Sequence, residues 1–172
     1  ALAKPASSSA SVNVALVDRL GATVVAAVAH PPSNEVYWAD HAEFGILGRQ
    51  GSVPRAGNRI VAVNADGPLD RSFVGAQLGA DPRFRARFSP RVESTTLALA
   101  WVATGQRLAY VTDGLHRGSV HFAAALALCQ AAGCVVTDFD GAPVHSGPGI
   151  IAAADHETHS ALPELVSRHR AA

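Results

Sequence analysis

Ser94 to Gly141 reads STTLALAWVATGQRLAYVTDGLHRGSVHFAAALALCQAAGCVVTDFDG, and its apolar pattern changes period repeatedly along the way. Leu97, Trp101 and Val102 recur at helical spacing behind Ser94, a residue type that caps helix starts, and Gly105 supplies a stop. Leu108 to Thr112 reads as a strand. Val120 to Ala132 is apolar on nearly every side and ends at Gly133, so it predicts a helix inside the molecule rather than one lying on its surface. Cys134 to Thr137 is a further strand. Helix, strand, helix and strand in succession predict an α/β layer.

Upstream of this stretch strands dominate. Val12, Val14 and Leu16 alternate with smaller or polar residues up to a turn at Asp18-Arg19-Leu20-Gly21, Thr23 to Ala29 is a second strand, and Glu35 to Ala39 returns after Pro31-Pro32-Ser33-Asn34. This is an antiparallel meander. Gly45 to Gly57, rich in Gly and Pro, reads as loop, and Arg59 to Val63 as strand. Asp70 caps a short helix through Gln77 that Gly79 stops, and Asp81 to Pro90 reads as a polar, Arg-rich connection. Downstream, Ile150 to Ala153 makes a last strand and Ser160 to Arg168 a closing helix with Pro163 in its first turn, where proline is tolerated. The expected architecture is mixed α/β in stacked layers: one domain over residues 1–172, with an antiparallel sheet half over 1–88 and an α/β half over 89–172. No internal repeat occurs, and the short serine run Ser7-Ser8-Ser9 is the one low-complexity feature.

With 172 residues, 48% of them apolar, and a mean hydropathy of +0.16, the chain is expected to be globular, with one sizeable core. Its formal charge is zero, so no global field draws it to nucleic acid or to an acidic membrane. No apolar run is long enough to span a bilayer, and Ala1 to Ala10 lacks the layout of a signal peptide. Cys129 and Cys134 read as small buried apolar residues in preference to a bridge, which fits a reducing compartment and a cytoplasmic location. There is no P-loop, no C-x-x-C pair and no G-x-S-x-G elbow.

Several motifs are spaced through the chain: Glu93-Ser94-Thr95, Val102-Ala103-Thr104-Gly105, Val120-His121-Phe122-Ala123-Ala124, Ala131-Ala132-Gly133-Cys134 and Asp138-Phe139-Asp140-Gly141. Together they resemble the inositol monophosphatase superfamily, Mg²⁺-dependent phosphomonoesterases that include bisphosphate nucleotidases. There the corresponding positions read Gly-Ser or Gly-Thr, V-A-x-G, W-D-x-A-A/G, E-A-G-G and a turn after the next strand. Val12-Asn13-Val14-Ala15-Leu16-Val17 with Glu35-Val36-Tyr37-Trp38-Ala39 resembles the family's central hairpin, in wording closer to the nucleotidase branch. The resemblance covers nearly the whole chain. It implies a layered α-β-α-β-α sandwich, Mg²⁺ as cofactor, a phosphorylated sugar, inositol or nucleoside as substrate, and a homodimer.

It also implies site residues. Ser94 and Thr95 match positions that face the sugar or nucleoside, Asp113 lies near an acidic residue that bonds a substrate hydroxyl, and His121 falls on the metal-binding Asp of W-D. The other reading of Ser94 and Thr95 is helix capping, of Asp113 a solvated loop carboxylate, and of His121 a histidine at a helix start. The family's strand Glu and its D-P-x-D-G-T motif are absent, and Mg²⁺ prefers hard oxygen ligands to imidazole. His116 and His145 are possible companions of His121 in a transition-metal site, although the spacing fits no zinc template. Arg83, Arg85, Arg87 and Arg91 either grip phosphate or form a solvated face. His156-Glu157-Thr158-His159 lacks the i, i+4 histidine pair of a zinc protease.

Two functions follow. One is metal-dependent hydrolysis of a phosphomonoester, completed by residues outside this sequence or by a partner chain. The other is a degenerate, phosphatase-like protein that retains a binding, assembly or altered catalytic role. Without any methionine, the chain reads either as part of a longer protein or as a naturally short relative.

Overall fold

The computed structural model describes residues 10–41, 43–49, 57–66 and 73–170. β1 (Val12–Val17), β2 (Thr23–His30), β3 (Glu35–Ala39) and β4 (Phe44–Leu47) form a four-stranded antiparallel sheet in sequence order. Asp18 closes the first hairpin, its Oδ1 accepting from the backbone N–H groups of Leu20 and Ala22. β4 lies in the segment expected to be loop. Gly45 is there because the Trp38 indole lies across it: a Cβ would come within 2.4 Å of the ring.

The period-2 pattern of this sheet splits its faces. Ala26, Val28, Tyr37 and Ala39 point inward and are buried, whereas Val12, Val14, Leu16, Val25 and Leu47 are exposed.

A second sheet comprises β5 (Ile60–Val63), β6 (Ser89–Val92), β7 (Ala109–Thr112), β8 (Val135–Thr137) and β9 (Ile150–Ala153), in the order β6-β5-β7-β9-β8. β5 runs parallel to β6 and β7, while β9 is antiparallel to β7 and β8. The division expected at residue 88 therefore falls earlier: Ile60–Val63, grouped with the meander in the sequence reading, belongs to the second sheet. Along β9, Ile150 and Ala152 enter one core and Ile151 and Ala153 the other. Both faces are covered, which is why IVAV and IIAA read as unbroken apolar runs and AYVT adds only the buried Thr112.

The short α3 (Leu97–Ala103) and the longer α4 (Val120–Ala131) fill the space between the sheets. Leu97, Leu99 and Leu128 are fully buried there, each contributing on the order of 1.5–3 kcal/mol of transfer free energy. α1 (Val74–Ala80), α2 (Pro82–Arg87) and α5 (His156–Ser167) cover the far face of the second sheet around Phe84, Leu78 and Leu162. The layered mixed α/β class is the one expected, and the described residues form its sheet-helix-sheet-helix layers.

Three helix boundaries differ from expectation. Gly79 lies inside α1, which runs to Ala80, and both Asp70 and the serine run at 7–9 fall outside the described residues. The Arg-rich connection contains α2, capped by Asp81 Oδ1 accepting from Arg83 N–H at 2.7 Å, with Pro82 at its first position. α5 starts at His156 because Asp155 caps it through Thr158 N–H at 2.7 Å, so Pro163 sits in the helix interior. There it withholds the N–H that would bond the His159 carbonyl.

Candidate functional site

The starts of α3 and α4 meet the ends of β5 and β7 around a polar cavity of about 380 Å³. Ser94, Thr95 and Thr96 line it from one helix start, His121 and Phe122 from the other, and Asn64 and Tyr110 from the second sheet, with Ser11 ahead of β1. Three of the four site residues expected from the sequence, Ser94, Thr95 and His121, therefore converge.

Asn64 is held from every side. Its N–H donates to the Val111 carbonyl at 2.9 Å, its Nδ2 to Thr112 Oγ1 at 3.1 Å, and its Oδ1 accepts from Asp66 N–H at 2.9 Å. α1 packs directly on its carbonyl: a Cβ at Gly75 would lie 1.8 Å from that oxygen. Tyr110 is buried, and burial pushes its phenol up to about 12, so it is a neutral donor across the physiological range. Thr95, rather than Ser94, meets α3, its Oγ1 accepting from Leu97 N–H at 3.3 Å. Ser94 and His121 are exposed, and among the described residues neither side chain makes a hydrogen bond or ion pair.

The neighbouring carboxylates point elsewhere. Glu93, adjacent to Ser94, takes two bonds from the Arg107 guanidinium at 2.9 and 2.5 Å, and that guanidinium lies over the Trp101 ring at 4.6 Å. Asp113 is placed outside the cavity lining. Its Oδ2 accepts from Val74 N–H at 3.0 Å and so serves the start of α1. Asp138 folds its own turn, accepting from Asp140 and Ala142 N–H groups at 2.9 Å.

The histidines do not assemble either. His116 bonds the Asp113 carbonyl at 2.6 Å and packs on Phe122 at 4.4 Å between ring centroids; burial lowers its pKa and favours neutral imidazole. His145 lines a different groove, and its carbonyl accepts from the Arg117 guanidinium at 2.9 and 3.2 Å. Among the described residues no three His, Cys, Asp or Glu side chains come together in a way that could hold a metal ion. The cavity offers hydroxyls, an amide, a phenol and an imidazole. That neutral donor set does not fit Mg²⁺, which needs anionic hard oxygens to replace its hydration shell.

The other motifs resolve into structure. Arg83, Arg85 and Arg87 form the exposed side of α2, Arg91 is exposed on β6, Arg87 pairs with Glu157 at 3.9 Å, and Phe84 and Phe88 are core residues. His156 to His159 is the first turn of α5, with His159 Nε2 2.9 Å from Thr137 Oγ1. Asn64, Thr96 and Tyr110 escaped the sequence reading. Asn64 was the most accessible of them, since it directly follows a parallel strand, where α/β sheets tend to place ligands.

A model of the inositol monophosphatase family matches residues 6–171, and the chain belongs to that family. Among solved structures it is similar to an inositol monophosphatase of Thermotoga maritima, with 21% identity and a TM-score of 0.74 over 92% of this chain and 61% of that one. The extragenic suppressor protein suhB of Bartonella henselae gives 22% and 0.73, again over 92% and 61%. SaIMPase-II, described with inositol monophosphate bound, gives 18% and 0.63 over 86% and 59%, and is also described with 2'AMP bound. The chain thus spans about three fifths of the length of these structures. No curated protein matches it.

Proposed function

We propose that the cavity at Ser94, Thr95 and His121 binds the polyol or nucleoside part of a phosphorylated small molecule, and that the described residues do not by themselves carry out metal-dependent hydrolysis. The observation that supports this reading is the convergence of three motif positions on a cavity lined by neutral donors, with Glu93 and Asp113 turned away from it. Hydroxyl and amide groups exchange hydrogen bonds with sugar or inositol hydroxyls. Each such bond contributes about 0.5–1.5 kcal/mol net. His121 adds an imidazole from within the first turn of α4.

The hydrolytic reading draws on family membership itself: carboxylates supplied by another polypeptide segment would complete a Mg²⁺ site. A homodimer and a cytoplasmic location belong to the same proposal, and sedimentation of the purified chain tests the first.

Calorimetric titration with inositol monophosphate and with 2'AMP tests the binding reading. Saturable binding should occur, and the Ser94→Ala/Thr95→Ala pair should weaken it roughly 5- to 150-fold, two lost hydrogen bonds' worth. Binding that is unchanged in the double variant would place the ligand elsewhere.

A further inference from the structure

Cys129 and Cys134 are the only cysteines of the chain, and the end of α4 brings them together. Gly133 takes φ 77° after Ala132, its N–H donating to the Gln130 carbonyl at 3.0 Å, and the N–H of Cys134 donates to the Cys129 carbonyl at 2.9 Å. This pair of bonds is a Schellman turn, in which the side chains at these two positions ordinarily meet as an apolar contact. Here both positions carry thiols, brought to the same side of the turn by the Cys134 N–H to Cys129 carbonyl bond.

The backbone bond also fixes the distance that matters for covalent chemistry. An N–Cα length of ~1.46 Å and a carbonyl oxygen ~2.4 Å from its own Cα, added to the 2.9 Å bond, hold the two Cα atoms no more than ~6.8 Å apart, within the range of disulfides. The two sulfurs differ in access. Cys129 is fully buried and its Sγ donates to the Leu99 carbonyl at 3.2 Å, whereas Cys134 is partly exposed.

We propose that Cys129 and Cys134 form an oxidative modification site, a dithiol that hydrogen peroxide converts into an intramolecular disulfide closing the last turn of α4 onto the entry to β8. The Cys134 thiolate attacks one peroxide oxygen, the O–O bond breaks, and the departing hydroxide takes a proton to leave as water, giving a sulfenic acid. The Cys129 sulfur then attacks the Cys134 sulfur. The S–O bond breaks and the leaving hydroxide takes up the Cys129 proton. Two thiols lose two electrons, and one peroxide becomes two waters.

Hydrogen peroxide added to the fully reduced chain, followed by intact mass and thiol counting, tests this. Both thiols should disappear together, the mass should fall by two hydrogens, dithiothreitol should restore them, and amide exchange between Gln130 and Cys134 should slow. Cys134→Ser should leave Cys129 unreacted, while Cys129→Ser should gain oxygen at Cys134. Retention of both thiols by the wild-type chain, oxygen gain without loss of hydrogen, or disulfide-linked dimers as the sole product would overturn the proposal. The wild-type measurement decides even where a serine variant fails to fold.

Discussion

Glu35 carries a carboxylate whose effect on stability can be titrated. Its Oε1 accepts from Arg49 Nε at 2.6 Å and its Oε2 from the Tyr37 hydroxyl at 2.6 Å, and the Arg49 bond is the main cause that lowers its pKa from 4.5 to about 2. The sign follows from that direction. A carboxylate depressed on folding stabilises the native state fully above its unfolded value, and that contribution fades as pH falls from 4.5 towards 2. Urea midpoints of the wild-type chain and of Glu35→Gln should therefore differ most near neutrality and converge in acid. A gap that is constant with pH would mean the pairing is incidental. The contrast with Glu93 is instructive. It too is consumed by an arginine, and this leaves the cavity beside it without an anion although the sequence places a glutamate next to Ser94.

Asp113 shows how elements borrow from one another. α1 has no side-chain cap of its own, and the carboxylate that serves its first N–H comes from the end of β7. Asp113→Ala should lower stability by about 0.5–2 kcal/mol, speed amide exchange in Val74 to Gln77, and leave inositol monophosphate affinity unchanged. Affinity lost at unchanged stability would return Asp113 to the ligand. Such distant caps are invisible to a local reading, and the element errors share that cause. Strands with clear alternation or unbroken β-branched runs were legible, as were α3 and α4 with their glycine stops. β4 was not, because Gly45 signals a loop until the Trp38 ring above it is known. α2 is hidden by its short length and by arginines around Phe84, and the sequence reading starts α5 at Ser160 instead of His156 because that keeps Pro163 within the first turn. Ser94, Thr95 and His121, which the motifs single out, line one cavity. Asn64 and Tyr110 belong to no motif and come to line the cavity only when β5 and β7 pair.

The layered molecule leaves one face unusual. The outer side of the first sheet presents Val12, Val14, Leu16, Val25 and Leu47 at 47–63% exposure, a contiguous apolar surface of the kind monomers rarely display over a few hundred Å². Because these side chains are largely solvated already, Val14→Thr with Leu16→Thr should change stability by no more than about 1 kcal/mol and should reduce binding of an apolar fluorescent dye. A loss of several kcal/mol would show that the face is packed in solution. The middle helical layer, in contrast, ties both sheets to the cavity, so its integrity decides whether the site exists at all.

The account rests on a phosphatase-family cavity in which neutral donors stand where anionic oxygens would be needed. Phosphate release from inositol monophosphate by the purified chain, followed across a Mg²⁺ titration, tests it most directly. We predict ligand binding that is indifferent to Mg²⁺, with no turnover above a blank. Mg²⁺-dependent, saturable release of phosphate that is abolished by His121→Ala would contradict it.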